Sequence, residues 1–265
     1  MKLLPAYFYF SALILISSCN SQPVSSTYAW AIVKISYDPA TKKAEGGSCG
    51  TAFFINETTF VTAHHGNEVN SAMLKPNAGY PNVRVFLANT QGDIIDDFLI
   101  VKRAPEFDLA LGRIGKANPA VRVCELQTAI SAGEKVYNIG FPTDQDIPDY
   151  SFLIEGQKLI IQRIRMNAAI QEGCIQAIRS VTINSNDVNL QDKMVAVLDH
   201  SSRIGFSGGP LVSKSSGKVI GFMSFVVPKE FDPQAPAAAI RMSDIEPFLA
   251  KEGAAKIERD GAPQK

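Results

Sequence analysis

Three residues of this chain have the types and the settings that nucleophilic acyl transfer requires: His65, Asp108 and Ser207, in that order. His65 closes the run Phe60-Val61-Thr62-Ala63-His64-His65. Asp108 lies in Phe107-Asp108-Leu109-Ala110-Leu111, and Ser207 is the centre of Gly205-Phe206-Ser207-Gly208-Gly209-Pro210. A serine hydroxyl is a poor nucleophile at neutral pH. It needs an imidazole to accept its proton and a carboxylate to hold that imidazole in one tautomer. The glycines meet a second need, because the oxyanion formed on an attacked carbonyl must find unobstructed backbone N–H donors. Gly205 and Ser207 are the candidate donors, while Gly208 and Gly209 allow close approach of backbone or substrate.

The same glycines also satisfy the G-x-S-x-G elbow of α/β-hydrolases. That fold places its histidine after the serine, and none of the three histidines, His64, His65 and His200, follows Ser207. It also needs alternating strands and helices, which this chain lacks, so the elbow reading fails.

Lys and Arg together number 26, as do Asp and Glu, so the formal charge is zero. No basic block interleaved with aromatics suggests nucleic acid. At 265 residues and 46% hydrophobic composition, the chain can bury one large or two small cores. Lys2 precedes an apolar run from Ala6 to Ile16, too short to span a bilayer, and Ser17-Ser18-Cys19 follows. Residues 1–18 read as a signal peptide. Ile16-Ser17-Ser18-Cys19 resembles the bacterial lipobox, which would make Cys19 a lipidated N-terminus anchored to a membrane; an ordinary secretory signal is the rival. Either way the expected location is outside the cytoplasm, as an envelope lipoprotein or a secreted protein. Cys49, Cys124 and Cys174 remain, enough for at most one internal disulfide. No Cys, His or carboxylate cluster has ligand spacing, so no metal and no organic cofactor is expected.

Residues 19–27 are rich in Ser, Gln and Pro and read as a tether. From Tyr28 onward, short segments rich in β-branched and aromatic residues recur between Gly, Pro, Asn and Asp. They include Ala31–Tyr37, Thr51–Ile55, Phe60–Ala63, Asn82–Ala88, Asp97–Lys102, Lys135–Phe141, Leu159–Met166, Gln176–Thr182, Met194–Leu198, Pro210–Val212 and Val219–Val227. Val83, Val85 and Leu87 alternate as on a half-buried strand, whereas Val219–Val227 is nearly continuous, as for a strand buried on both faces. Helical periodicity is missing until Ile245–Lys251, which Ser243 or Asp244 can cap, with Pro247 tolerable only in a first turn. The pattern predicts an all-β fold of antiparallel sandwiches or barrels. A boundary within Lys116–Ala132 would divide residues 28–128 from 129–241, with a helix over 243–252 and a flexible tail over 253–265. The active site would then lie in the cleft between two halves.

As a set, these motifs resemble the chymotrypsin-like (trypsin-fold) serine peptidases, most of all their bacterial branch of Deg-type and glutamyl-endopeptidase-like enzymes. Gly50-Thr51-Ala52-Phe53-Phe54-Ile55 resembles the strand before the histidine. Val136-Tyr137-Asn138-Ile139-Gly140-Phe141-Pro142 resembles the strand opening the second barrel, and Gly221-Phe222-Met223-Ser224-Phe225 the strand that pairs with substrate backbone. The resemblance implies two antiparallel six-stranded Greek-key β-barrels with a short C-terminal helix. It implies His65 as general base, Asp108 as its orienter, Ser207 as nucleophile and protein or peptide substrates. Phe206 stands where animal trypsins carry an aspartate that pairs with a newly cut N-terminus, so that activation is ruled out. Cys49 matches a disulfide position whose partner position holds Gly66. The fourteen residues after Lys251 are too few for the PDZ domain usual in Deg-type proteins.

The resemblance also places the primary specificity pocket at Ser201, Ser202, Ser224, Phe225 and Val226. Ser201 offers no carboxylate for Arg or Lys, and Val226 should narrow the mouth, so small or medium apolar residues are expected before the cleaved bond. His200 near the pocket leaves a preference for acidic residues as the rival. A catalytically silent binding or scaffold module on the same fold remains the alternative to an endopeptidase.

Overall fold

The computed structural model describes residues 26–65, 75–143, 149–184, 189–226 and 237–252. Its first half is one antiparallel sheet built from β1 (Ala29–Asp38), β2 (Lys43–Phe54), β3 (Thr59–Ala63), β4 (Asn82–Ala88), β5 (Ile94–Ile95), β6 (Phe98–Ala104) and β7 (Leu109–Ile114). The strand order is β5-β4-β1-β2-β3-β7-β6. The second half is a closed six-stranded barrel of β8 (Lys135–Gly140), β11 (Ala169–Asn184), β12 (Asn189–Leu198), β13 (Pro210–Ser213), β14 (Val219–Val226) and β15 (Ala237–Arg241). The all-β expectation therefore holds, with the two-residue β5 added at the edge of six longer strands in the first half.

Period-two patterning explains why β1 lies inside its sheet, between β4 and β2. Ala31, Val33 and Ile35 enter the large core, while Trp30 and Ile32 enter a second core on the other face. The second core is an aromatic ladder in which Trp30, Phe54, Phe60 and Phe98 meet edge to face at centroid spacings of 5.8, 5.6 and 5.6 Å. In β4, Val85 and Leu87 face this ladder while Phe86 and Ala88 face the large core. Val219 and Phe222 of β14 likewise join the large core while Ile220 and Met223 join a third, so this strand is buried on both faces as expected.

The chain between β7 and β8 laces the halves together: Cys124 N–H donates to Phe54 O at 2.8 Å and Gln127 N–H to Val219 O at 2.9 Å. A separate hairpin, β9 (Asp149–Glu155) with β10 (Lys158–Arg165), lies over the first sheet. Tyr37 Oη donates to Gln157 O at 3.1 Å, Lys42 Nζ to Ile154 O at 2.9 Å and Arg84 Nη1 to Leu159 O at 2.6 Å.

Two expectations need correction. The C-terminal helix, α1, runs Met242–Lys251, with Arg241 as its N-cap residue and no side-chain cap bond, so neither Ser243 nor Asp244 caps it. The Arg241 guanidinium instead grips Asp244 in the first turn at 2.8 and 2.6 Å. Pro247 consequently falls beyond the first turn, where burial of Met242, Ile245 and Leu249 offsets the lost backbone hydrogen bond. β2 also begins well before Thr51, because its exposed, Gly-containing stretch is held by pairing with β1 rather than by burial.

Candidate active site

The ladder between β3 and β7 brings His65 and Asp108 together. Ala63 pairs with Leu109, so the residues just after β3 sit beside the residue just before β7, and His64 N–H continues the ladder to Asp108 O at 2.8 Å. Asp108 caps a 3-10 turn, Pro105–Phe107, in the left-handed region at φ +49°, and its own N–H donates to Pro105 O. Aspartate tolerates that conformation better than most residues, and the sharp reversal turns its carboxylate inward.

The Asp108 side chain is fully buried and accepts three hydrogen bonds. His65 N–H reaches Oδ1 at 2.8 Å; His65 Nδ1 and Ser224 Oγ reach Oδ2 at 2.8 and 2.5 Å. A carboxylate can only accept, so His65 Nδ1 carries the proton. Its Nε2 is then the basic nitrogen, and it faces Ser207 Oγ at 2.9 Å. Donor and acceptor roles are thus set along the whole line from Ser224 to Ser207.

The carbonyls of the loop before Ser207 are turned away from the cleft one by one. Arg203 O accepts from Phe206 N–H at 3.2 Å, Ile204 O from Thr143 N–H at 3.1 Å, Gly205 O from Thr51 Oγ1 at 2.7 Å and Phe206 O from Gly209 N–H at 2.8 Å. Ser207 O accepts from Thr51 N–H at 2.9 Å, and Gly208 N–H donates to Met223 O at 2.7 Å. Among the described residues the amides of Gly205 and Ser207 have no acceptor. Two N–H groups on either side of one residue are therefore free to receive an anion next to Ser207 Oγ. The turn needs glycine at 205, where φ is +102° and a Cβ would run into the Phe141 carbonyl. Phe206 itself is buried, its ring lying where a Cβ on Gly140 would be 2.5 Å away.

The remaining residues singled out in the sequence fall around this loop. Ser201 is exposed, and Ser202 is buried with a hydroxyl that bonds no described residue. Ser224 spends its hydroxyl on Asp108. Phe225 and Val226 pair along β14 with Ala238 and Ala237, and their side chains lie outside the described set. His200 has both ring nitrogens engaged, with Asp199 Oδ1 at 3.2 Å and Asn138 Oδ1 at 3.0 Å. Cys19, the tether up to residue 25 and the tail after Glu252 lie outside the described residues. Cys49, Cys124 and Cys174 are free thiols. Burial raises the Cys49 thiol pKa and pushes that of Cys124 up to about 12.

Sequence reasoning missed two participants. Ser224 appeared only as a pocket residue, and Thr51 only as part of a strand. A hydroxyl at a buried strand position beside Ala52-Phe53-Phe54 was the available signal for Thr51, since burying it without partners costs free energy.

The trypsin-like peptidase domain model matches residues 50–222, a span that takes in His65, Asp108 and Ser207 and more than half of the chain. Among solved structures, the HtrA-type protease AlgW with decapeptide aligns at a TM-score of 0.59 and 18% identity, covering 88% of this chain and 66% of that one. The Rv3671c protease from M. tuberculosis in its active form aligns at 0.54 and 19% identity, covering 98% and 99%. At these identities the two likenesses speak for the fold. No curated protein matches by sequence. The matched span makes this chain a member of the trypsin-like peptidase domain family, a serine endopeptidase.

Proposed function

We propose that this endopeptidase cleaves protein or peptide substrates at the cell envelope through an acyl-enzyme on Ser207. The observation that carries the mechanism is the unbroken line of bonds from Ser224 through Asp108 and His65 to Ser207, beside two unengaged amides. As Ser207 Oγ attacks the scissile carbonyl, its proton passes to His65 Nε2, and Asp108 stabilises the resulting imidazolium. The oxyanion is received by the N–H groups of Gly205 and Ser207. Collapse breaks the C–N bond, His65 returns its proton to the leaving amine, and an ester to Ser207 remains. Water, deprotonated by His65, then hydrolyses that ester by the same steps in reverse order.

The substrate reading has weaker supports of its own. AlgW was solved with a decapeptide, which favours an extended peptide as ligand here. Ser201 is uncharged, and His200 holds both ring nitrogens in hydrogen bonds, so it has no donor left for a substrate carboxylate. Small or medium apolar residues before the cleaved bond are therefore proposed over acidic ones. Envelope attachment rests on the sequence Ile16-Ser17-Ser18-Cys19, with Cys19 as the lipidated residue.

A fluorophosphonate probe tests the catalytic reading. It should label the wild-type chain and not Ser207→Ala, with peptide hydrolysis lost in parallel. An intact, folded wild-type chain that neither labels nor cleaves would favour the silent scaffold instead. In a peptide library, dominant cleavage after Arg, Lys or Glu would overturn the proposed specificity.

A further inference from the structure

Thr51 is fully buried in β2, in the first half of the chain, yet it bonds the loop that carries Ser207 in the second. Its Oγ1 donates to Gly205 O at 2.7 Å and accepts from Phe141 N–H at 3.1 Å, so the hydroxyl uses both of its capacities. Its own N–H donates to Ser207 O at 2.9 Å, and its carbonyl accepts from Thr62 Oγ1 at 2.9 Å. We infer that Thr51 is a positioning residue that aims the two oxyanion donors, an inference that rests on reading Ser207 as the nucleophile.

The reasoning follows the peptide planes. The Gly205–Phe206 peptide is held at both ends, its carbonyl by Thr51 Oγ1 and its N–H by Arg203 O. Gly205 has no side chain to resist rotation, so hydrogen bonds rather than sterics must fix the dihedrals on either side of it. The Ser207 carbonyl is held by the same threonine. One residue therefore fixes the peptide planes that follow Gly205 and Ser207. The donor planes next to them, held through Ile204 O by Thr143 N–H and through Phe206 O by Gly209 N–H, stay aimed only while the Gly205–Phe206 plane does not turn. Oxyanion donors act only when they are already aimed at the place where charge develops. Valine has nearly the same shape but can neither hold the Gly205 carbonyl nor satisfy Phe141 N–H. Serine keeps both bonds and loses one methyl.

Thr51→Val and Thr51→Ser in the full chain separate a positioning role from simple packing. Thr51→Val should lower kcat by about 10- to 100-fold, short of outright removal of an oxyanion donor, with KM within about threefold. Thr51→Ser should restore kcat to within about threefold of wild type, since it keeps both hydrogen bonds. The backbone amide resonances of Gly205 and Ser207 should shift in the valine variant and return in the serine variant. Should Thr51→Val not fold, Thr51→Ala takes its place in the same comparison. A folded valine or alanine variant with unchanged kcat and unchanged amide resonances overturns the inference, as does a serine variant as impaired as valine. A wild-type chain that fails to label with fluorophosphonate overturns the catalytic reading instead, and the amide resonances still report on Thr51.

Discussion

Phe206→Ala is the sharpest test of how the loop around Ser207 is held. In enzymes activated by a new N-terminus this position carries a carboxylate in an ion pair; here it carries a phenyl ring that is 1% exposed. Packing must therefore supply what an ion pair supplies elsewhere. A buried phenylalanine removes roughly 150–250 Å² from water, or about 4–6 kcal/mol at ~25 cal/mol per Å². Measured truncations of this kind cost about 3–5 kcal/mol. The upper half of that range applies, because the ring lies on Gly140, which has no side chain to move into the space. For a domain of this size a loss of ~4 kcal/mol lowers Tm by about 8–16 °C. The two free amides flank this one residue, so kcat should fall ~10- to 100-fold below the melting point, while KM changes by less than about threefold. Phe206→Leu keeps much of the volume and should recover most of both. Thermal unfolding by circular dichroism, steady-state peptide hydrolysis and fluorophosphonate titration of active sites read the two effects separately. A Phe206→Ala chain that loses under about 1 kcal/mol and keeps its kcat would refute the packing argument.

Four further outcomes follow from the same geometry. Ser207→Ala, His65→Ala and Asp108→Asn should each cut hydrolysis by several orders of magnitude and combine with little added loss, whereas His64→Ala, which keeps the backbone N–H bonded to Asp108 O, should be far milder. Ser224→Ala removes a bond to a buried carboxylate worth about 1.5–3 kcal/mol and should lower Tm, with kcat reduced but not abolished. Cys124 should resist alkylation at pH 8 until the chain is unfolded; because its folded pKa of about 12 lies above the ordinary 9.0, the unfolded chain loses that proton first, so its contribution to stability should fall as pH rises from about 9 towards 12 and vanish in Cys124→Ala. Cys19→Ala should leave the precursor uncleaved or release soluble protein, and mature protein starting elsewhere with no membrane association would reject lipidation.

The three side chains that meet at the candidate site were legible in the sequence because each sits in a short run whose chemistry is local: an imidazole at a strand end, a carboxylate before a strand, a serine among glycines. The alternating apolar strands were legible for the same reason, since period-two patterning is written residue by residue. The first part of β2 was not legible, because Lys43-Ala44-Glu45-Gly46-Gly47 is largely exposed and owes its extended form to hydrogen bonds with β1. β9 carried a usable signal in Tyr150, Phe152 and Ile154, but it follows a polar, Asp-rich stretch that reads as loop. The start of α1 was misplaced because its Arg241–Asp244 pairing is none of the usual cap signatures. The unbonded amides of Gly205 and Ser207 were legible from the glycine at 205, but the bonds from Thr51 and Thr143 that turn the neighbouring carbonyls away come from distant parts of the chain and left no local trace.

The contacts that complete the site cross between the halves of the chain in both directions. Ser224, on a strand of the closed barrel, bonds the carboxylate of Asp108 in the turn that leads into β7 of the first sheet. Thr51, on a strand of the first sheet, bonds the carbonyls of Gly205 and Ser207 in the loop leading into the barrel strand β13. Each half thus lacks a donor that only the other supplies, and the line from Ser224 to Ser207 cannot form within either one alone. This arrangement explains why polar residues are kept at two buried strand positions where apolar ones would pack at least as well. A buried hydroxyl is costly unless its bonds are made, and here those bonds exist only when the halves are correctly docked. The same hydroxyls that orient the nucleophile's partners therefore favour the docked arrangement over misaligned ones. The geometry of the proposed active site and the registry of the two halves are set by the same few atoms.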